Sequence, residues 1–306
     1  MIKKDFGIFG SRLVMMCALA FLGLIMVGSA SAEVHVEPHK RGSLMIVGGG
    51  DTPYTIQKRF VELAGGAGRA RVAIFPMAKT EFDEELDEVL ADFSLLGAEV
   101  EVLNLDREDA QSKAMDAILS KFTGFWFLGG DQNLLASSLL GTRALRTIEF
   151  RYEQGAVVGG TSAGAAVMTA TMLTGERRTA SGRINDDPNA VALRSTEVTL
   201  GFGLLPGAII DQHFSRRSRD NRLVSAVLDS PQLLGVGIDE ETALIVRPDG
   251  RWEIMGNGHV KIYDARRAYI VNEEDDTVGA SGIRMHVLPR GSRFDPRLGR
   301  LGSWRN

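Results

Sequence analysis

The sequence predicts an α/β fold, a three-layer sandwich built around a parallel sheet. Short apolar segments alternate with amphipathic segments of helical length, and this alternation is typical of a parallel sheet that is covered on both faces. Three of the apolar segments end in glycine turns, at Gly48, Gly129 and Gly159. Because ligands bind beyond the carboxyl ends of parallel strands, these turns indicate the edge where a functional site would lie.

The first half of the predicted domain contains five strands and four helices in alternation. The strands are expected over residues 43–50, 71–76, 99–103, 124–130 and 156–160. The helices between them are expected over residues 55–63, 82–96, 114–122 and 144–154. The second of these helices shows the clearest amphipathic spacing, with apolar side chains at Leu86, Val89, Leu90, Phe93 and Leu96.

The second half is patterned differently. A strand runs from residue 203 to 211 and leads into His213, and another buried strand covers residues 233–239. Three further strands, separated by glycine-containing turns, predict a C-terminal antiparallel meander over residues 242–246, 251–255 and 260–264. Residues 174–197 are polar and irregular, and the pattern beyond Asn272 is weak. No repeat or linker divides the chain, so one domain is expected over residues 33–306.

The first 32 residues have the pattern of a secretory signal peptide. Basic residues at positions 3, 4 and 12 precede an apolar run from Leu13 to Val27, and Ala30, Ser31 and Ala32 close it. We expect cleavage after Ala32 and a secreted or periplasmic protein. An uncleaved membrane anchor is the alternative, but the apolar run is short for a spanning helix.

Composition excludes several classes of function. Cys17 is the only cysteine and lies inside the signal peptide, so the mature chain has neither a cysteine nucleophile nor a disulfide, which suits an oxidising compartment. Removal of the signal peptide changes the formal net charge from −4 to −6. That balance excludes a nucleic-acid partner, and no membrane partner is expected after cleavage.

Ser162 is the candidate nucleophile. It follows an apolar strand, precedes a small-residue helical run and is flanked by Gly160 and Gly164, which is the spacing of a nucleophile elbow. A serine on so tight a turn needs glycine two positions away on either side, because larger side chains would collide. The alternative is an ordinary strand–helix turn that uses small residues for close packing.

His213 is the candidate base among five histidines, because its strand would bring the imidazole to the same sheet edge as Ser162. Asp239 and Glu240 follow another buried strand, and either carboxylate could orient that imidazole. Spacing does not choose between them. The resulting order of serine, histidine and acid differs from the order in α/β-hydrolases, so the similarity to lipases is local.

Two further features point to substrate. An arginine cluster directly follows His213, and guanidinium groups suit bidentate recognition of carboxylates, although a solvated helix face is the ordinary interpretation. The segment from Gly129 to Gln132 offers backbone donors and a side-chain amide at a strand end. It also reads as a helix start with Asp131 as the N-cap, and both interpretations are compatible.

Together these segments resemble the cyanophycinases, in the serine peptidase family that also contains aspartyl dipeptidase. The resemblance lies in residues 127–132, 159–165, 211–223 and 235–243, and with the strand order it covers residues 43 to 265. It implies a fold like that of class I glutamine amidotransferases, with serine in place of cysteine. Residues 174–197 depart from the expected pattern.

The resemblance also implies residue roles. Ser162 would be the nucleophile, His213 the base and Glu240 the acid, with Asp239 as the fallback. The N–H groups of Gly130 and Ala163 would form the oxyanion hole. Residues that would line the substrate site are Gln132, Asp211, Arg217, Arg219 and Arg222.

The implied reaction releases β-aspartyl-arginine dipeptides from cyanophycin, a poly-aspartate chain with arginine on each side-chain carboxyl, without metal or cofactor. An isoaspartyl or aspartyl dipeptidase on the same scaffold is the alternative enzyme. A secreted binding protein with vestigial catalytic residues is the alternative outside enzymes. The expected partner is cyanophycin or a β-aspartyl peptide, and the assembly is left open, a homodimer included.

Overall fold

The computed structural model describes residues 41–79, 84–177, 191–272 and 278–302. Its helices are α1 (Tyr54–Leu63), α2 (Glu84–Leu95), α3 (Arg107–Gln111), α4 (Ala114–Leu119), α5 (Gln132–Leu139), α6 (Arg143–Glu153), α7 (Ala163–Ala166) and α8 (Asp220–Asp229). No helix in these described ranges has the length and apolarity needed to span a bilayer. The predicted signal peptide, residues 1–32, lies outside the described residues.

The strands fall into two larger sheets and two hairpins. In chain order they are β1 (Leu44–Val47), β2 (Arg71–Phe75), β3 (Glu99–Val102), β4 (Gly124–Phe127), β5 (Val157–Thr161), β6 (Thr171–Arg177), β7 (Thr196–Leu200), β8 (Ala208–Asp211), β9 (Leu234–Ile238), β10 (Thr242–Val246), β11 (Trp252–Gly256), β12 (His259–Asp264), β13 (Tyr269–Asn272), β14 (Val278–Ser281), β15 (Arg284–Pro289), β16 (Arg293–Asp295) and β17 (Arg300–Leu301).

The main sheet has nine strands in the order β17-β16-β11-β10-β1-β5-β4-β2-β3. The five strands from β1 to β3 in that order are parallel, and the others pair antiparallel. All four residues of β1 are apolar and buried, as expected for a parallel strand that is covered on both faces. The predicted α/β fold is therefore confirmed.

Helices cover both faces of the parallel strands. On one face, Phe60 of α1 and Phe93 of α2 stack with ring centroids 5.4 Å apart, and Phe60 meets Trp126 of β4 edge-on at 4.8 Å. On the other face, the buried side chains of α5, α6 and α7 join the cluster that contains Phe75 and Phe127. These two apolar clusters give the sandwich its three layers.

The second sheet has four strands in the order β15-β12-β9-β8. One of its faces joins the central core through Ile210, Val236 and Ile262. Its other face packs on α8, where Phe214 and Leu223 are buried. Because β8 and β9 are parallel, His213 and Glu240, which follow them, leave the sheet at the same edge.

The structure refines the predicted elements at three places. The antiparallel strands expected near the C-terminus are present, but β12 pairs with β9 and β15 instead of extending the pair formed by β10 and β11. The helix after Ser162 has only four residues, since the chain turns into β6 at Thr171. Strands also form beyond Asn272, where the sequence pattern was weak.

Candidate active site

Ser162 occupies a strained turn between β5 and α7. Its φ of 52° and ψ of −109° lie in a region that residues with side chains rarely adopt. A methyl group on Gly160 would lie 2.7 Å from the main chain of Gly164, and one on Gly164 would lie 2.2 Å from the Phe127 carbonyl oxygen. The two flanking glycines therefore serve the steric purpose that the sequence indicated.

A hydrogen-bonded chain of three side chains connects Ser162 with His213 and Glu240. Ser162 Oγ lies 2.9 Å from His213 Nε2, and His213 Nδ1 lies 2.7 Å from Glu240 Oε1. Ser162 follows β5 of the main sheet, whereas His213 and Glu240 follow β8 and β9 of the second sheet. The expectation that His213 shares a sheet edge with Ser162 is therefore wrong, because the site forms where the ends of two sheets meet. A serine hydroxyl, an imidazole and a carboxylate in this order can generate a nucleophile.

The glycine turn after β1 makes room for the base and the acid. A methyl group on Gly49 would lie 2.3 Å from the imidazole of His213, and one on Gly50 would lie 3.0 Å from Glu240 Cβ. The His213 N–H also donates to the Gly48 carbonyl at 2.7 Å. The sequence pattern indicated that this turn lies at a ligand-binding edge, but it did not indicate that the turn packs against His213 and Glu240.

Asp239 and Glu240 have different surroundings. Asp239 Oδ1 accepts from the Ser215 N–H at 3.0 Å, and its Oδ2 accepts from the His259 N–H at 3.1 Å. The carboxylate thus ties the segment after His213 to the start of β12. Of the two carboxylates that the sequence left open, Glu240 is the one in contact with the imidazole.

The environment of His213 favours its neutral form. Burial is the largest cause that lowers the pKa of this imidazole, the positive charge of Arg217 also lowers it, and the hydrogen bond that the imidazole donates to Glu240 opposes both. A neutral imidazole that donates from Nδ1 to Glu240 leaves the Nε2 lone pair facing Ser162. The site therefore holds a base that is ready to accept the serine proton at neutral pH.

Two main-chain N–H groups, in the segments that follow β4 and β5, have no acceptor among the described residues. One belongs to Ala163, the first residue of α7, and the other to Gly130. Gly130 has a φ of 137°, and a side chain there would lie 2.2 Å from the Ala78 carbonyl oxygen. Asp131 caps α5 by accepting from the Asn133 N–H at 2.8 Å. The segment from Gly129 to Gln132 therefore combines the two features that the sequence indicated, a helix N-cap and an available backbone donor.

The arginines after His213 differ in their surroundings. Arg217 is exposed, and no carboxylate pairs with it in the part of the chain that the structure describes. Arg219 donates to Asp211 at 3.1 Å and to the Gln212 carbonyl at 2.7 Å. Arg222 binds Asp211 through both Nε and Nη2, and both side chains are buried, at 5% and 1% exposure.

Gln132 and Arg222 bind the chain that follows the elbow. The Gln132 side chain donates to the Leu173 carbonyl at 2.8 Å, and Arg222 donates to the Gly175 carbonyl at 3.3 Å. We call Gln132, Asp211, Arg219, Arg222 and Asp239 the supporting layer, because each holds a segment of the site in place. The expected role of the first four in binding substrate stays a prediction, and this geometry favours an indirect role.

Ser162 and His213 open onto a cavity of about 550 Å³. It extends from the sheet edge toward α1 and α2, where Gln57 and Asp92 line it. None of the five predicted substrate-binding residues lines this cavity. The sequence missed the contribution of α2, because its polar face reads as an ordinary solvated helix surface.

Metal ligands are not grouped in the described ranges. No set of three or more histidine, cysteine, aspartate or glutamate side chains lies close enough there to hold a metal ion. The predicted absence of a cofactor stays a prediction.

Comparisons with known proteins identify the family. Residues 44–253 match the model of Peptidase family S51. The chain is 33% identical over 270 residues to a cyanophycinase of Geminocystis herdmanii, covering 85% of this chain and 96% of the relative. It is 32% identical over 286 residues to one of Synechococcus elongatus, covering 90% of this chain and 85% of the relative.

A solved structure supports the fold. A peptidase from an acI-B1 Actinobacterium superposes with a TM-score of 0.61 at 22% identity, covering 84% of this chain and 98% of the other. The family match spans more than half of the sequence, and the curated relatives exceed 30% identity over most of it. The resemblance to the cyanophycinases is thereby confirmed, and the chain belongs to peptidase family S51, a family of serine-type peptidases.

Proposed function

We propose that this protein is an exported serine exopeptidase that hydrolyses cyanophycin to β-aspartyl-arginine dipeptides. The observation that carries the proposal is the hydrogen-bonded chain from Ser162 through His213 to Glu240, with contacts of 2.9 and 2.7 Å. Relatives named cyanophycinase at 32–33% identity supply the substrate class.

The first half of the reaction would form an acyl-enzyme. Ser162 Oγ attacks the amide carbonyl carbon as His213 Nε2 takes the hydroxyl proton. The carbonyl oxygen becomes an oxyanion, which the N–H groups of Gly130 and Ala163 would stabilise. The imidazolium, held by Glu240, then gives its proton to the leaving amine, and the C–N bond breaks.

The second half would restore the enzyme. A water molecule attacks the ester carbon while His213 takes one of its protons, and the ester C–O bond breaks as that proton returns to Ser162 Oγ. The products of this half are the carboxylate of the acyl portion and the free serine, and the remaining proton goes to solvent. Each step needs the same base at the same distance, which a short hydrogen-bonded chain provides.

Recognition of the chain end would fall to the guanidinium of Arg217, which has no ion-pair partner among the described residues. A poly-aspartate end and each arginine branch present carboxylates, and a guanidinium can bind such a group through two parallel hydrogen bonds. Arg217 is exposed and its backbone N–H donates to the His213 carbonyl at 3.0 Å. It therefore lies beside the base, where a bound carboxylate would orient the scissile bond.

Export would follow from the signal sequence at residues 1–32. N-terminal sequencing of protein recovered from culture medium or periplasm should begin at Glu33. Protein that starts at Met1 and remains with the membrane fraction would favour an uncleaved anchor.

The experiment that tests the proposal uses two substrates in parallel. Protein is incubated with insoluble cyanophycin and, separately, with free β-aspartyl dipeptides, and the products are identified by mass spectrometry. Release of β-aspartyl-arginine from the polymer is the expected result, and a chelator should leave it unchanged. Hydrolysis of the free dipeptides alone would favour an isoaspartyl dipeptidase, and no hydrolysis of either would favour a binding protein.

A further inference from the structure

The cavity beside Ser162 has a strongly acidic lining. Among the described residues, five carboxylates and one lysine line it. We call the five carboxylates the acidic wall, and they belong to Asp51, Glu84, Glu85, Glu88 and Asp92. The lysine, Lys79, binds Glu85 with a contact of 2.6 Å. Asp51, Glu84 and Glu88 make no hydrogen bond or ion pair with other described residues, so their charges are available to a ligand.

The acidic wall reaches the nucleophile. A methyl group placed on Gly129 would lie 3.4 Å from Glu85 Oε1 and also 3.4 Å from Ser162 Cβ. The Glu85 carboxylate and the Ser162 side chain therefore both border the space beside Gly129. Positions 85, 88 and 92 lie on one face of α2, because residues three and four apart on a helix are neighbours. The negative charge therefore extends from the nucleophile along this face.

A buried hydroxyl at the base of the cavity also lacks a partner. Thr161 lines the cavity and is 4% exposed, and its Oγ1 has no hydrogen-bond partner in the described ranges. Alternate residues of a strand face the same side, and a methyl group on Gly159 would contact Phe60 of α1 at 2.8 Å. The Thr161 side chain thus points toward α1 and α2, into the layer that contains the cavity.

The carboxylates of the wall and the nearby Thr161 hydroxyl can all accept hydrogen bonds. Carboxylates only accept, and a threonine hydroxyl can accept as well as donate. A metal ion would need several of these oxygens to converge, and no such group of ligands occurs in the described part of the chain. An extended organic cation with many N–H donors matches the wall better, and a guanidinium has five of them in a planar fork.

We propose that the acidic wall binds the guanidinium of an arginine side chain and makes the enzyme selective for substrates that carry one. This inference rests on the proposed function, because it assigns the arginine branch of the substrate to a defined surface. The acidic wall and Arg217 then bind different parts of the substrate. The carboxylates of the wall bind its cationic arginine branch, and the guanidinium of Arg217 binds one of its carboxylates. Anionic side chains would be excluded from the cavity by repulsion.

A binding measurement tests this inference independently of catalysis. The full chain carrying Ser162→Ala is titrated with β-aspartyl-arginine and with β-aspartyl-citrulline, a neutral compound of nearly the same shape. We expect the arginine compound to bind at least about tenfold more tightly, because hydrogen bonds to a charged group contribute more binding free energy than hydrogen bonds to a neutral one. Adding Glu84→Gln and Glu88→Gln should bring the two affinities together, whereas Asp87→Asn, an exposed change on α2, should not.

The outcomes are distinguishable. Equal affinity for the two compounds, or a preference that survives the paired glutamine substitutions, would overturn the acidic wall. Hydrolysis assays on the parent protein report separately on the proposed function. If the protein prefers β-aspartyl-arginine but hydrolyses no substrate, the role of the acidic wall is supported and the peptidase function is contradicted. If it hydrolyses substrate without that preference, the peptidase function is supported and the role of the wall is contradicted.

Discussion

Two arginines of one segment, Arg217 and Arg222, have opposite environments. Arg217 is exposed beside His213 and has no ion-pair partner in the described part of the chain. Arg222 is buried and fully engaged with Asp211. A guanidinium that is already paired supports structure, whereas an unpaired one beside a base is available to a ligand. The run of arginines in the sequence therefore indicates a possible binding site. Which arginine can contact the substrate depends on whether its guanidinium is already paired with a carboxylate.

The same contrast separates the whole site into two sets. The first set consists of the proposed catalytic groups, Ser162, His213 and Glu240, and the proposed substrate ligand, Arg217. The supporting layer lies behind or beside them and binds segments of the chain to one another. Substitutions in the first set should lower activity and leave stability alone, and substitutions in the second should lower stability first.

The largest effect is expected for Ser162→Ala. Loss of a triad nucleophile lowers turnover by roughly a million-fold, while the free energy of unfolding should stay near that of the parent, since only one oxygen is removed. The measurements are cyanophycin hydrolysis and urea denaturation of the same preparation. Activity within tenfold of the parent would place the nucleophile elsewhere.

The two adjacent carboxylates should differ strongly. Glu240→Gln should lower turnover by roughly ten-thousand-fold, because the imidazole loses the charge that orients it. Asp239→Asn should act mainly on stability, by about 1 kcal/mol, because one of its two backbone hydrogen bonds is lost. Comparison of kcat and urea midpoints for both variants tests this. The opposite ranking in kcat would transfer the orienting role to Asp239.

The buried arginine should act on stability. Arg222→Ala leaves the Asp211 carboxylate buried with only Arg219 beside it, and breaking a buried pair costs about 3–5 kcal/mol. We expect a loss near 3 kcal/mol because Arg219 remains. Urea denaturation provides the measurement. An unchanged midpoint with strongly reduced substrate binding would mean that Arg222 contacts the substrate after all.

The exposed arginine should act on substrate. Arg217→Ala should lower kcat/KM by roughly ten- to a hundred-fold, since a charge-assisted pair is worth about 1.5–3 kcal/mol. Arg217→Lys should restore part of this, because it keeps the charge without the planar fork. Arg216→Ala is the control, because Arg216 adjoins Arg217 and is also exposed. A kcat/KM of Arg217→Ala equal to that of the parent would contradict the role of Arg217.

The smallest effect concerns pH. Because burial and Arg217 lower the pKa of His213, the acid limb of kcat/KM should lie below the ordinary histidine value, with activity lost as the pH falls through it. Arg217→Ala removes a positive charge that disfavours the imidazolium, so the limb should move to higher pH. A pH profile of each variant is the measurement, and a shift to lower pH would contradict this electrostatic account.

The sequence allowed the parallel sheet and the elbow to be predicted, because both depend on local patterns. Buried strands are continuous apolar runs, and the turn at Ser162 needs small residues at fixed positions. The contact between His213 and Glu240 was anticipated only through the resemblance, since spacing did not choose between Asp239 and Glu240. That choice depends on which carboxylate leaves β9 toward the imidazole.

Features that depend on packing between distant segments could not be predicted. Gly49 and Gly50 pack under His213 and Glu240, but their sequence shows only a glycine turn. The acidic face of α2 has the sequence pattern of a solvent-exposed helix surface. Only the structure shows that this face lines the same cavity as Ser162. Likewise, the sequence of the arginine run does not distinguish Arg217 from Arg222. The fold places Asp211 next to Arg219 and Arg222, and only the structure shows this pairing.

Detection of the acyl-enzyme tests the central claim most directly. Protein mixed with cyanophycin is quenched in acid during turnover and digested, and the peptide that contains Ser162 is analysed by mass spectrometry. The account predicts a covalent substrate adduct on Ser162 that disappears as substrate is exhausted and is absent from Ser162→Ala. An adduct on another residue, or turnover in rapid-quench samples in which Ser162 is never modified, would contradict it.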